Sequence, residues 1–133
     1  MRYKATYAAT PAEIWHALTD SDELAGWLMA NDFKLELGHI FNFRTKPAPG
    51  FDGVVECEVV EIEPQRRLVY SWKAGGQNTM VVWSLEPRGA ATELTLEHTG
   101  FKGLSGLAPH IILGLGWGRM LRHGMRERFR QIS

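Results

Sequence analysis

Tyr70, Trp72, Trp83, His98 and Trp117 are the side chains whose types and spacing can do chemistry together. Tyr70 and Trp72 stand two apart, so a strand would turn both to one face. Trp83 keeps the same spacing with Val81 and Leu85, and His98 with Leu94 and Leu96. Aromatic walls with a few polar tips line small-molecule pockets; the same rings also fill the core of a curved sheet. At the end of its strand, His98 can orient a polar ligand group or act as general base. The plainer role is a hydrogen-bonded core histidine. Phe43, on another apolar-rich segment, joins the candidate lining, as do His110 and Leu113 in a glycine-rich apolar stretch.

Other chemistries find less support. The histidines are isolated, with no HExxH or Cys-x-x-Cys pattern, so neither a metal site nor a cofactor is expected. The single cysteine, Cys57, lies in a strand pattern and reads as inert filler. No serine stands in a nucleophile-elbow context, so no catalytic residue is assigned. The run from Gly114 to Gly118 lacks the GxGxxG spacing and follows no strand directly. Arg119, Arg122, Arg126 and Arg130 share one helical face and can contact phosphates. Fifteen basic and fifteen acidic side chains cancel, however, which favours a solvated face over nucleic acid. His16, His39 and His123 are expected at the surface.

The elements that must position these residues follow from pattern. A chain of 133 residues, 44% hydrophobic and 23% charged, suits one globular domain over residues 1–133. Arg2–Tyr7 alternates as a strand. Thr10, Pro11 and Glu13 form a capping box with proline at the first helical position. A first helix to about Thr19 buries Ile14, Trp15 and Leu18. A second, capped by Asp20 or Ser21, runs to about Leu28. Phe33–Leu37 and Ile40–Arg44 read as a hairpin across Gly38-His39. Val54–Glu63, Leu68–Lys73, Thr79–Glu86 and Thr92–His98 read as four further strands, the first two joined by a turn at Pro64-Gln65-Arg66. Their alternation predicts an antiparallel sheet with one buried face.

The C-terminal segment has two halves. Gly103, Gly106, Gly114, Gly116 and Pro109 interrupt the first, and each glycine costs a helix about 1 kcal/mol relative to alanine. This half reads either as a lid or as backbone packed close to the sheet. From Trp117 onward, Trp117, Met120, Leu121, Met125, Phe129 and Ile132 share the face of a long helix. Arg128 falls on that side near the end, its stem over the core and its head toward water. The N-terminus lacks a signal peptide's apolar run and no stretch is long enough for a membrane span. The expectation is a cytoplasmic protein with no membrane insertion.

TPAEIWHALTDSDELAGWL, the Gly38 segment, EVVEIEPQRRLVYSW, VVWSLEPRGAATELTLEHTGF and GWGRML occur in that order. Together they resemble the family of activator of heat-shock protein 90 ATPase homologues. That family lies within the START-like superfamily, which includes polyketide cyclases and birch-pollen-allergen-like proteins. The resemblance implies an α+β helix-grip fold. In it, a curved antiparallel sheet of about seven strands, two short helices and a long C-terminal helix enclose a cavity. The chain corresponds only to the C-terminal domain type of the co-chaperones that name the family.

The resemblance and the aromatic face together imply a binding module for a small hydrophobic or aromatic molecule, such as a lipid, polyketide or flavonoid-like compound. The alternative is a chaperone-regulating interaction domain with a place in stress response. A cyclase or hydrolase with His98 or Tyr70 as acid or base stands third, since the last two strands turn no acidic residue inward.

Overall fold

The structure is a computed structural model and describes residues 1–47, 49, 51–102 and 116–132. Seven strands form a sheet in the order β1-β7-β6-β5-β4-β3-β2. They are β1 (Arg2–Tyr7), β2 (Ala30–Asn31), β3 (Ile40–Arg44), β4 (Val54–Glu63), β5 (Arg67–Ala74), β6 (Gln77–Arg88) and β7 (Ala91–Thr99). Every neighbouring pair is antiparallel. Helices α1 (Pro11–Thr19) and α2 (Ser21–Trp27) follow β1, and a C-terminal helix, α3, spans residues 116–128. This is the helix-grip arrangement predicted from the sequence.

Local chemistry sets the first helices. The Thr10 hydroxyl accepts from Glu13 N, and the Glu13 carboxylate accepts from Thr10 N, which satisfies two N-terminal donors reciprocally. Asp20 ends α1 and caps α2, its Oδ1 accepting from Glu23 N at 3.0 Å. Trp27 Nε1 donates to Ala17 O at 2.9 Å and ties the two helices together.

The expected Phe33–Leu37 strand does not form. The strand beside β3 is the two-residue β2, with Ala30 opposite Arg44 and Asn31 opposite Phe43. Local side chains take the backbone groups that a ladder would use. Asn31 Oδ1 accepts from Phe33 N, and Asp32 Oδ1 accepts from Asn42 N. Gly38 N donates to Val59 O, so Gly38-His39 extends the edge of β4 and is no hairpin turn. His39, expected at the surface, is half-buried; it stacks on Phe41, and its Nε2 lies 3.1 Å from Asp32 O.

A register shift between Val59 and Glu61 bulges β4. Val55, Cys57 and Val59 face inward at odd positions, and the bulge brings Ile62 to the same side.

In α3, Trp117, Leu121 and Met125 are buried, while Arg119, Arg122, Arg126 and His123 are exposed. Leu121–Met125 adopts a π-turn. Residues four apart drift around an α-helix, and the wider turn counters that drift so that Met125 stays on the sheet side. At Gly124 the helix crosses α2 so closely that a Cβ would stand 2.6 Å from Trp27 Cβ.

The helix stops at Arg128, earlier than the apolar stripe suggests. Phe129 is extended, Arg130 O accepts from Ala8 N, and Ile132 N donates to Thr6 O. The tail thus supplies partners to the free edge of β1, and Ile132 is exposed instead of buried. The head of Arg128 does not run to water either. Its Nε donates to Glu23 Oε2 at 2.8 Å and its Nη1 to Gly124 O at 3.3 Å.

Candidate functional site

Between the inner face of the sheet and α3 lies a cluster of aromatic rings. Phe43 comes from β3, Tyr70 and Trp72 from β5, Trp83 from β6, His98 from β7 and Trp117 from the first turn of α3. All six are at most 2% exposed. Trp72 is central: its ring lies 5.5 Å from Phe43, 5.3 Å from His98 and 5.4 Å from Trp117. Trp83 meets Trp117 edge-on at 5.5 Å, and Phe43 is tilted against Tyr70 at 6.2 Å. The period-two register of β5, β6 and β7 brings these residues to one face, because Trp72 is paired with Thr79 and Val81 with His98. His110 and Leu113 lie outside the described residues.

The polar groups inside the cluster form a directed chain. Trp117 Nε1, which can only donate, lies 3.1 Å from His98 Nδ1. That nitrogen must therefore be the acceptor, and the neutral ring carries its proton on Nε2. Nε2 is 2.7 Å from Thr79 Oγ1, which donates in turn to Trp72 O at 2.9 Å. A separate bond runs from Trp83 Nε1 to Tyr70 Oη at 2.9 Å. Trp72 Nε1 is buried with no hydrogen-bond partner.

This geometry bears on the acid–base reading. His98 has a second polar group in reach, as that reading requires, but both ring nitrogens are engaged within the core. Burial pushes the Tyr70 phenol far above its usual range, so it stays protonated. The Cys57 thiol is likewise pushed up by burial, with Glu56 adding to the effect, in keeping with an inert side chain. Among the described residues, no group of three metal-ligating side chains comes together.

Some participants escaped the sequence reading. Thr79 stands two residues before Val81, so its inward direction was legible, but nothing local marks it as a bridge. Phe101, 4.8 Å from His98, follows the last strand after Gly100. Trp27, from α2, meets Trp83 edge-on at 5.9 Å. Away from the cluster, a shallow groove between α1, α2 and the end of α3 is lined by Ala12, Glu13, His16, Glu23, Arg128 and Phe129.

A curved antiparallel sheet closed by a C-terminal helix over an aromatic inner face defines the helix-grip class. The chain belongs to the family described as Activator of Hsp90 ATPase homolog 1-like protein, whose profile matches residues 8–130. Solved structures agree. The chain is similar to protein MLL2253 from Mesorhizobium loti, at 28% identity and TM-score 0.80, over 92% of both chains. It is similar to CalU16 from Micromonospora echinospora, at 25% identity and TM-score 0.75, over 91% of this chain and 70% of that one. An HSP90 activator from Plasmodium falciparum shares the fold at 18% identity and TM-score 0.79, over 99% and 98% of the two chains. No curated protein matches the chain. Among the described residues, no helix is long and apolar enough to cross a membrane.

Proposed function

We propose that this protein binds a small apolar or aromatic molecule, of lipid, polyketide or flavonoid-like character, between the sheet and α3. Phe43, Tyr70, Trp72, Trp83, His98 and Trp117 would contact it, and on sequence alone the proposal extends to His110 and Leu113. The observation that carries it is the orphaned Trp72 Nε1–H inside a fully aromatic cluster. A packed core gains nothing from a buried donor without an acceptor, which costs about 1–3 kcal/mol, whereas a binding site uses such a group for orientation. Because all six side chains are at most 2% exposed, binding requires α3 to ease off the sheet or the rings to rotate. On this reading the protein works in the cytoplasm.

The test is an NMR titration of labelled protein with lipids, flavonoids and polyketides. Saturable shifts are expected at the indole N–H groups of Trp72, Trp83 and Trp117 and at the His98 ring. A panel that leaves all four unmoved sinks the proposal.

A second reading, a chaperone-regulating interaction domain, draws on the family description and on the Plasmodium falciparum activator of the same fold. In its favour, Arg119, Arg122, Arg126 and Arg130 are exposed and make no ion pair among the described residues. An acidic partner surface would complement them. Under this reading, the chain changes the ATPase rate of a partner chaperone, and charge reversal at Arg122 and Arg126 abolishes the change.

A further inference from the structure

The inner cluster holds more donors than acceptors. Its protons are the indole N–H groups of Trp72, Trp83 and Trp117, the His98 Nε2–H, the Thr79 hydroxyl and the Tyr70 hydroxyl. Its acceptors in use are Tyr70 Oη, His98 Nδ1, Thr79 Oγ1 and Trp72 O. Two protons are left over. One is the Trp72 Nε1–H, which has no partner. The other belongs to Tyr70: its oxygen accepts from the donor-only Trp83 indole, and among the described residues no acceptor takes its own proton. Tyr70 and Trp72 project from the same face of β5, and both rings lie against Phe43.

Charge narrows the complement further. The buried polar side chains among the described residues are Thr79, Thr92, Thr95 and His98, and none carries a positive charge while His98 is neutral. Among the described residues, an anionic head group in this cluster would meet no counterion, at a prohibitive desolvation cost. A pure hydrocarbon would leave both surplus protons unpaired.

We infer that the ligand carries a neutral oxygen acceptor, such as a ketone, quinone or ester carbonyl, on a flat apolar frame, with the Trp72 Nε1–H and the Tyr70 hydroxyl as its donors. The inference rests on the binding proposed above and adds the polarity of the molecule that binds. It separates this site from one for free fatty acids, whose carboxylate would need a cation, and from one for plain hydrocarbons. The aromatic frame stacks against Phe43 and Trp117 while the oxygen sets its orientation.

The experiment uses probes of one shape and differing polarity: fluorene, fluorenone and fluorene-9-carboxylate. Affinity is read by calorimetry, and the Trp72 Nε1–H resonance by NMR. Fluorenone is expected to bind at least about ten-fold tighter than fluorene, about 1.4 kcal/mol, and to shift that resonance downfield. The carboxylate is expected to bind more weakly than fluorenone. Trp72→Phe should bring the ratio of fluorenone to fluorene affinity, both measured in that variant, close to one. Should that variant fail to fold, Tyr70→Phe makes the same comparison and should reduce the preference. Equal affinity for fluorene and fluorenone, or tightest binding of the carboxylate, overturns the inference and leaves the binding site standing. Binding of none of the three overturns both.

Discussion

Replacing Thr79 by valine tests whether the polar chain in the core is as directional as its geometry requires. The two side chains have nearly the same shape, so Thr79→Val opens no void. It removes one oxygen that serves two buried partners: His98 Nε2 at 2.7 Å and Trp72 O at 2.9 Å. His98 cannot relieve the loss by moving its proton, because Nδ1 already faces the Trp117 indole N–H. An unpaired buried donor costs about 1–3 kcal/mol, and the lost bond to Trp72 O about 0.5–1.5 kcal/mol. The expected destabilisation is therefore about 2–4 kcal/mol, a large share of the roughly 5–15 kcal/mol that holds a domain together. Thr79→Ser keeps the oxygen, loses one buried methyl, and should cost about 1 kcal/mol. Urea unfolding at neutral pH measures both, with the same m-value expected for each. A nitrogen–proton correlation spectrum of the wild-type His98 ring should show the proton on Nε2. Equal costs for the two variants, or a proton on Nδ1, would refute the directed chain.

Two other predictions read different parts of the fold. Burial, with Tyr3 adding to it and Arg126 opposing it, pushes the Tyr7 phenol from its usual 10.0 to about 12. A raised folded-state value means the stabilisation is complete below the unfolded value and is lost as pH rises through the folded one. Stability should fall between about pH 10 and 12 by about 2–3 kcal/mol from this group. The difference between wild type and Tyr7→Phe, followed by urea unfolding across that range, isolates it; a difference that does not change with pH refutes the assignment. In α3, two glycines should respond with opposite signs. Gly124→Ala drives a Cβ to 2.6 Å from Trp27 Cβ and 2.9 Å from Trp27 O, and should cost about 1–3 kcal/mol. Gly118→Ala meets only the tip of Arg122 at 3.4 Å and the Tyr3 ring at 3.7 Å, and should gain up to about 1 kcal/mol of helix propensity. Melting temperatures of the pair decide it, and a stabilised Gly124→Ala would refute the close crossing.

Much of this architecture was legible because β5, β6 and β7 keep strict period-two faces and α1 carries its capping box in sequence. The failures have local causes. Phe33, Leu35 and Leu37 alternate like a strand, but Asn31 and Asp32 capture the backbone first, and Leu37 ends 64% exposed. The bulge in β4 left a mark that was there to be read: apolar residues at 55, 57 and 59 step out of phase to 62. The end of α3 left none, since the stripe to Ile132 is continuous and only the open edge of β1 makes extension the better use of those backbone groups. Within the site, alternation brings Tyr70, Trp72, Trp83 and His98 inward, but hydrogen-bond polarity is set by which groups meet across elements. Trp117 reaches His98 from α3, and no spacing in the sequence encodes that contact.

That polarity makes the core's stability answer a functional question. Trp72 and Trp83 are almost equally buried, at 2% and 1% exposure, and face the same interior. Replacing either by phenylalanine deletes the same atoms, so the cavity cost cancels in the comparison. The remainder differs in sign. Trp83→Phe loses a satisfied bond to Tyr70, about 0.5–1.5 kcal/mol, while Trp72→Phe removes a donor that had no partner, relieving about 1–3 kcal/mol. Trp83→Phe should therefore be the less stable of the two by about 2–4 kcal/mol in urea unfolding without ligand. If instead Trp72→Phe costs as much, the indole N–H of Trp72 has a partner in solution and the acceptor-bearing ligand loses its anchor. If the difference appears, the core keeps at Trp72 an indole N–H that contributes nothing to folding. A local conflict of that kind is expected at a binding site, where an unsatisfied group in the empty protein is the group the ligand satisfies.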